Sequence, residues 1–209
     1  MSLHRLAAWL ICLAVFSMFG FAQDERNEIS GTIGRTFVSS QHIKGSTLYN
    51  PNIHFGDGIS FALNYGYRWK RYTIIGLTPE LPIAVAPDTD LNAGANIVPA
   101  SYKAFFVTPS LRVNFFPGES VTPWVSAGGG YARFKMAGHE VYYGPNPGTT
   151  NTNTGAAQFG AGLDVLPWHR LGFRLDARDF YSGHPDLGAN TGRSMQHNYY
   201  VGGGVLFRF

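Results

Sequence analysis

The stretch ISFALNYGYRW (residues 59–69) alternates two kinds of side chain from its first residue to its last. Its odd-numbered positions carry only aliphatic or aromatic residues, whereas its even-numbered positions carry serine, alanine, asparagine, glycine and arginine. Successive side chains of an extended strand point to opposite faces, so this period of two predicts a β-strand with one wholly apolar face. The fold must therefore provide an apolar surrounding for that face.

The same period recurs along the chain, and no helical period appears after residue 23. Pro79 and Pro82 weaken one of the segments, and another, PWVSAGGGYARF, is small on both faces, so its orientation stays open. The pattern predicts eight strands, at about residues 28–37, 59–69, 72–84, 105–115, 123–134, 159–165, 171–178 and 199–209.

The predicted connections alternate in length. Three are short, at residues 70–71, 117–122 and 167–170, and four are long and rich in Gly, Asn, Thr and Pro. In an antiparallel series this alternation places every turn at one end and every loop at the other. The long connections span residues 38–57, 85–101, 135–155 and 182–197.

The opposite face of the strands indicates what the apolar face contacts. Charged residues make up 14% of the chain, compared with about 25% in an ordinary soluble domain, and the second face is mostly Gly, Ala, Ser, Thr and Asn. Small residues suit a narrow barrel interior, so the apolar face is predicted to contact lipid. The sequence therefore predicts an all-β protein, an eight-stranded antiparallel up-and-down transmembrane barrel. A soluble ligand-carrying barrel remains the alternative.

A barrel in lipid must be closed, because each backbone donor and acceptor has to be paired within the protein. The last strand is therefore expected to pair with residues 28–37. The net charge of +3 is small and scattered, which argues against nucleic acid as a partner.

The first 22 residues are typical of a signal peptide. A short basic start at His4 and Arg5 precedes an apolar stretch, and Gly20 and Ala22 provide small residues near a cleavage site. The apolar stretch is shorter than the roughly 20 residues that a spanning helix needs, which disfavours a membrane anchor. We expect residues 1–22 to be cleaved, leaving a barrel domain of residues 23–209 without cysteine.

Aromatic residues cluster near the predicted strand ends, as in the interfacial girdles of membrane barrels. At the loop end, Tyr131, Phe134, Phe180, Tyr181 and Tyr199 are candidates for a second girdle. The girdle beside the short turns is predicted to contain Tyr67, Trp69, Phe115, Trp124 and Trp168.

Together with the signal sequence and the eight strands, the segment RLDARDFYSG (174–183) and the ending VLFRF resemble the small outer-membrane β-barrel families of Gram-negative bacteria, of the OmpA-, OmpX- and OmpW-like kind. The resemblance implies short periplasmic turns, four long extracellular loops, and contact with outer-membrane lipid and lipopolysaccharide. It also implies a barrel-only member with no peptidoglycan-binding domain. In such families the barrel-assembly machinery reads the last strand, and the matching positions here are Tyr199, Val201, Val205, Phe207 and Phe209.

Several ionisable residues fall on the predicted inner face. Buried charges must be paired, so we expect a salt-bridge network within the barrel; the alternative is that these residues line a narrow polar path. Arg208 shares this face. The predicted network comprises Arg68, Glu80, Arg112, Asp164, Arg174, Asp176 and Arg178.

No catalytic, metal or cofactor site is predicted. Ser182 with His184, and Ser194 with His197, are close in sequence but match no deacylase or acyltransferase motif. The segment DTDLN (88–92) lacks the glycine and closing glutamate of a calcium loop. The glycines at 202–204 have no following helix to cradle a phosphate. The predicted role is non-enzymatic, either structural or in surface interaction, or a narrow channel for small solutes; a lipid A-modifying enzyme is the alternative.

Overall fold

A computed structural model describes residues 25–45, 51–93, 98, 101–136, 140–141, 144–145, 151–187 and 190–209. The predicted signal peptide and His139 lie outside the described residues. No helix in the described part of the chain is long and apolar enough to cross a membrane.

Eight long strands form the body of the described structure, as the alternating pattern predicts. The fourth is divided into two segments at Thr108 and Pro109, and Pro109 has no N–H to donate to the ladder. The strands are β1 (Asn27–Val38), β2 (Gly58–Tyr67), β3 (Ile75–Ala93), β4 (Ser101–Val107 and Ser110–Phe115), β5 (Val121–Met136), β6 (Asn151–Val165), β7 (Leu171–Gly183) and β8 (Met195–Arg208).

The strands close into an antiparallel barrel. Each strand pairs with its neighbours in sequence, and β8 also pairs with β1, where Gly203 lies opposite Ile33. Beyond the end of β8, the backbones of Phe209 and Asn27 exchange two hydrogen bonds, with N···O distances of 3.0 and 2.9 Å. The predicted closure of the last strand onto residues 28–37 is confirmed.

Two strands extend furthest beyond the ranges that the period-two pattern predicts. β3 continues to Ala93, and β6 begins at Asn151, so both enter segments that the composition assigns to loops. Pairing explains the extensions: the end of β3 pairs with β4 and with a short strand Asn52–Phe55, and the start of β6 pairs with β5. Backbone pairing across the sheet therefore outweighs the local turn propensity.

The apolar faces of the strands point outward. In β2 every residue from Gly58 to Tyr67 alternates between buried and exposed, and Phe61 and Leu63 are each about half exposed. Ser60 and Asn64 on the other face are almost completely buried. An exposed apolar belt of this extent is typical of a surface that contacts lipid.

The inside of the barrel has two layers. The half near the short turns is charged and polar, whereas the half near the long loops holds an apolar, aromatic cluster beside buried polar side chains such as Gln41 and Asn198. The first layer is where most of the sequence-predicted site residues meet.

Candidate functional site

All eight strands contribute an inward side chain to the charged layer. The register brings them to one level: Asp164 of β6 lies opposite Arg174 of β7, and Glu28 of β1 lies opposite Arg208 of β8. Asn64 of β2 joins the layer through its amide, which donates to Asp176 at 3.4 Å. The layer is thus built from Glu28, Asn64, Glu80, Arg112, Trp124, Asp164, Arg174, Asp176, Arg178 and Arg208.

Arg174 forms the tightest contacts of this layer. Its Nε and Nη2 donate to the two carboxylate oxygens of Asp164 at 2.7 Å each, a bidentate pair. Its Nη2 also donates to Glu28 at 3.0 Å, and its Nη1 donates to Ser30 at 2.8 Å. This one guanidinium therefore links three strands.

Two further arginines complete the network. Arg178 donates to Asp176 at 2.8 Å and to Glu80 at 2.9 Å. Arg112 donates through Nη2 to Glu28, and its Nη1 lies 3.6 Å from Glu80 and 4.0 Å from Asp164. With Arg208, whose Nε lies 3.6 Å from Glu28, four arginines face four carboxylates. The formal charges of these eight side chains therefore sum to zero.

The indole of Trp124 packs among three of these cations. The guanidinium carbons of Arg112, Arg174 and Arg178 lie 5.6, 5.5 and 5.2 Å from its ring centroid, within cation–π range. Its Nε1 donates to Asp164 at 3.2 Å. Trp124 is 1% exposed, so its predicted place in the outer girdle is corrected: this side chain points inward.

The structure places the other predicted network residues as follows. Glu80, Arg112, Asp164, Arg174, Asp176 and Arg178 are all buried inside the barrel. Arg68 lies instead just after β2, half-buried at the turn end, where it donates to the backbone oxygen of Glu25 at 3.0 Å. Glu28, which the prediction omits, is at the centre. The sequence could have predicted this, because Glu28 is at an even position in a strand whose odd positions, Ile29 and Ile33, face outward.

The apolar layer fills the loop half of the barrel. Phe106 and Phe180 stack with ring centroids 4.6 Å apart, and Phe134 packs edge-on against Phe106 at 5.8 Å. Above them, Ile53 and Leu187 are completely buried. Phe134 and Phe180 therefore lie inside, which corrects their predicted place in a second girdle.

The remaining girdle and assembly residues are on the outer surface or at its edge. Among the girdle residues, Tyr67, Trp69 and Trp168 are exposed and Phe115 is half-buried. Among the assembly residues, Tyr199, Val201 and Val205 are exposed, while Phe207 and Phe209 are half-buried with their rings stacked at 6.0 Å.

Neither serine–histidine combination from the sequence forms a hydrogen bond. Ser182 Oγ donates to the oxygen of Gly183 at 3.2 Å, and His184 Nε2 donates to Gln41. His197 pairs instead with Asp179 on the outer face, with Nδ1 and Oδ2 2.6 Å apart. A contact that the sequence did not suggest joins Ser40 Oγ to His54 Nδ1 at 3.1 Å.

The described residues contain no group of three or more His, Cys, Asp or Glu side chains placed to hold a metal ion. Asp88, Asp90 and Asn92 lie on β3, so the segment DTDLN is strand and not loop. The glycines at 202–204 are in the middle of β8 and pair on both sides.

Comparison with solved structures identifies the fold. The crystal structure of Neisserial surface protein A is 12% identical over 88% of this chain and 97% of that chain, with a TM-score of 0.54. The outer membrane protein OprG from Pseudomonas aeruginosa is 12% identical over 90% of this chain and 97% of that chain, with a TM-score of 0.51. The outer membrane enzyme PagL is 18% identical over 85% and 97%, with a TM-score of 0.47.

No family model and no curated sequence matches the chain. The structural likeness confirms the predicted eight-stranded antiparallel barrel and its resemblance in fold to small outer-membrane barrels. One fold hosts unrelated functions, so the role has to be argued from this chain's own residues.

Proposed function

We propose that this chain is a non-enzymatic integral protein of the bacterial outer membrane, with a structural or surface-interaction role. In this proposal residues 1–22 direct export and are removed. The short turns face the periplasm and the long loops face the outside. Lipid and lipopolysaccharide contact the outer face, and the barrel-assembly machinery reads β8.

The observation that carries the proposal is the distribution of polarity between the two sides of one closed sheet. The outer face exposes large apolar side chains such as Ile33, Phe159 and Leu175, each near or above 60% exposed. The inner face holds a buried ionic network. A soluble carrier needs the reverse, an apolar cavity inside and a polar surface.

Fractionation tests the membrane location. Expressed in a Gram-negative host, the protein should be recovered in the outer-membrane fraction after a urea wash. Unboiled samples should migrate differently from boiled ones on gels, because a closed barrel resists detergent until it is heated. Recovery as a soluble periplasmic protein would contradict the proposal and support the carrier.

The filled interior supports a structural role over a channel. The neutral ionic layer and the apolar layer lie in series between the two ends of the barrel. Planar-bilayer recordings of wild type, Arg112→Ala and Arg178→Ala should show no stable conductance. Steps in the wild type would contradict the structural role, and steps altered by either substitution would assign the path to the network.

The enzyme alternative has two favourable features: Ser40 Oγ lies 3.1 Å from His54 Nδ1, and Asp179 orients His197 on the outer face. In the described residues no serine, threonine or cysteine hydrogen-bonds to the imidazole of His197, so a nucleophile is not in place beside that residue. Mass spectra of lipid A from cells expressing wild type and His197→Ala should be identical. Loss of a lipid A modification only in the variant would establish the enzyme.

A further inference from the structure

A cavity of about 400 Å³ opens at the turn end of the barrel, below the ionic network. Three arginines line it: Arg68 and Arg71 from the connection after β2, and Arg208 from the end of β8. An adjoining cavity of about 150 Å³ shares Arg68 and Arg71. The mouth of the barrel is therefore a concave surface with several guanidinium groups.

Arg208 connects this mouth to the interior. The residue is 9% exposed, and its Nε makes no hydrogen bond within the described structure. Its nearest carboxylate is Glu28, 3.6 Å away, and Glu28 already accepts from Arg112 and Arg174. A guanidinium that is nearly buried and incompletely paired is costly, and a bound anion would relieve that cost.

The carboxylates that line this cavity form no ion pair with Arg71 among the described residues. Glu25 is held by Arg170, with Nε and Oε1 3.0 Å apart, and by His169 at 3.2 Å. Glu119 also lines the cavity, and Arg71 forms no ion pair in the described part of the chain. Three arginines and two glutamates line the cavity, so the formal charge of these five side chains is positive.

We propose that this cavity is a binding site for a small multivalent phosphate anion. Guanidinium groups bind phosphate oxygens through paired N–H donors, and converging arginines favour an anion with more than one charged group. The cavity is within the size range of small-molecule sites. The same chemistry is offered by a soluble diphosphate and by a phospholipid headgroup. The binding site itself is argued from the cavity and its arginines. Its orientation toward the periplasm rests on the proposed function.

Calorimetric titration with inorganic pyrophosphate tests the site, using protein purified in a phosphate-free, lipid-free detergent. We expect saturable binding that weakens with added NaCl, because the attraction is electrostatic. Arg71→Gln should weaken binding about tenfold, the loss of one charged hydrogen-bonded contact. The matched control is Arg133→Gln, an exposed arginine on the outer face near the loop end, which should bind as the wild type does.

Glu119→Gln gives a change of opposite sign. Removing a carboxylate from the lining should tighten pyrophosphate binding several-fold, because it removes a repulsion from the anion. A variant with a disturbed fold would bind pyrophosphate more weakly, not more tightly. Opposite changes in Arg71→Gln and Glu119→Gln would therefore show that charge, and not misfolding, alters the affinity.

Reconstitution distinguishes the two sources of phosphate. If phospholipid headgroups fill the site, bilayers containing phosphatidylglycerol should compete with pyrophosphate, whereas phosphatidylcholine alone should not. Equal affinity in both bilayers assigns the site to a soluble anion. Absence of binding in lipid-free detergent, or equal affinity of Arg71→Gln and Arg133→Gln, overturns the proposal. Heat-dependent gel migration of each variant reports separately on whether the barrel has formed.

Discussion

Trp124 occupies the interior because the strand opposite leaves room for its ring. It lies directly opposite Gly162 on β6, and a Cβ atom added to Gly162 would stand 2.3 Å from the indole. Glycine at this position therefore permits a tryptophan to fill a narrow barrel. The indole then separates three arginine side chains that would otherwise repel one another at close range.

Two substitutions of Trp124 should lower the free energy of unfolding by different amounts. Trp124→Phe removes the hydrogen bond to Asp164, which should cost about 1 kcal/mol of the free energy of unfolding. Trp124→Ala also leaves a cavity, and should cost about 3–5 kcal/mol. Urea unfolding of the refolded protein, followed by tryptophan fluorescence, measures both. Trp168→Phe, whose ring is exposed, is the control and should change the free energy of unfolding least.

Trp124 and Arg112 differ in whether the sequence predicts the direction of their side chains. Arg112 is in a strand whose other face is wholly apolar, so its inward direction follows from parity alone. The strand of Trp124 is small on both faces, and parity gives no direction there. The partners of either residue depend on the register between strands, which no local pattern contains. The sequence therefore predicts most of the charges that are inside, but it wrongly includes Arg68 and does not reveal that Glu28 and Trp124 connect the network.

Polar contacts hold the described part of the loop after β7 against the loop end of the barrel. His184 donates through Nε2 to Gln41, and its backbone N–H donates to Ser194 at 2.9 Å. Gln41 in turn donates to Gln196 on β8 at 3.2 Å. Burial lowers the pKa of His184 below its ordinary value of 6.5, because the charged imidazolium is poorly solvated there. This loop is therefore anchored by a neutral histidine.

Acidification should loosen this loop. The released loop, with the ordinary histidine pKa, binds a proton more readily than the anchored loop does. The anchored state is thus fully favoured above about pH 6.5, and loses stability as the pH falls through the lowered pKa. Hydrogen exchange of residues 184–194 should be faster at pH 5 than at pH 7.5, after correction for intrinsic rates. In His184→Gln this difference should largely disappear, and an unchanged difference would contradict the role of His184.

β8 closes the barrel, and Phe209, the residue that follows it, contributes both backbone and side chain to that closure. Phe209 exchanges two hydrogen bonds with Asn27 and stacks on Phe207. Because unpaired backbone groups are costly in lipid, this end of the seam must be completed during insertion. The same end carries the resemblance to an assembly signal.

Deletion of Phe209 should lower the yield of membrane-inserted barrel, and so should a charged tail added after it. Both changes disturb the pairing of the chain end with Asn27 and alter the residue that the assembly machinery is proposed to read. The heat-modifiable band in the outer-membrane fraction measures the yield. Phe115→Leu, a change of a half-buried aromatic at the same end of the barrel, serves as the control. Unchanged insertion of the deletion variant would argue against the assembly role.

The whole barrel is sealed by two layers of different chemistry. Near the turns, charged groups from six of the eight strands pair with one another; near the loops, aromatic rings pack in the interior. An apolar constriction blocks ions by dewetting, whereas a paired ionic layer blocks them by occupying the space. Because the two layers lie in series, we expect either one alone to prevent conduction.

Conductance should therefore appear only when both layers are opened. Phe106→Ala/Phe180→Ala removes the stacked pair of the apolar layer, and Arg112→Ala/Arg178→Ala opens the ionic layer. Each double variant alone should be silent in planar bilayers, and the quadruple variant should show discrete steps. Heat-dependent gel migration identifies the variants that still form a barrel, since each change is individually destabilising. Steps from one double variant would show that its layer is the sole barrier, and a silent quadruple variant with a formed barrel would place the barrier elsewhere in the molecule.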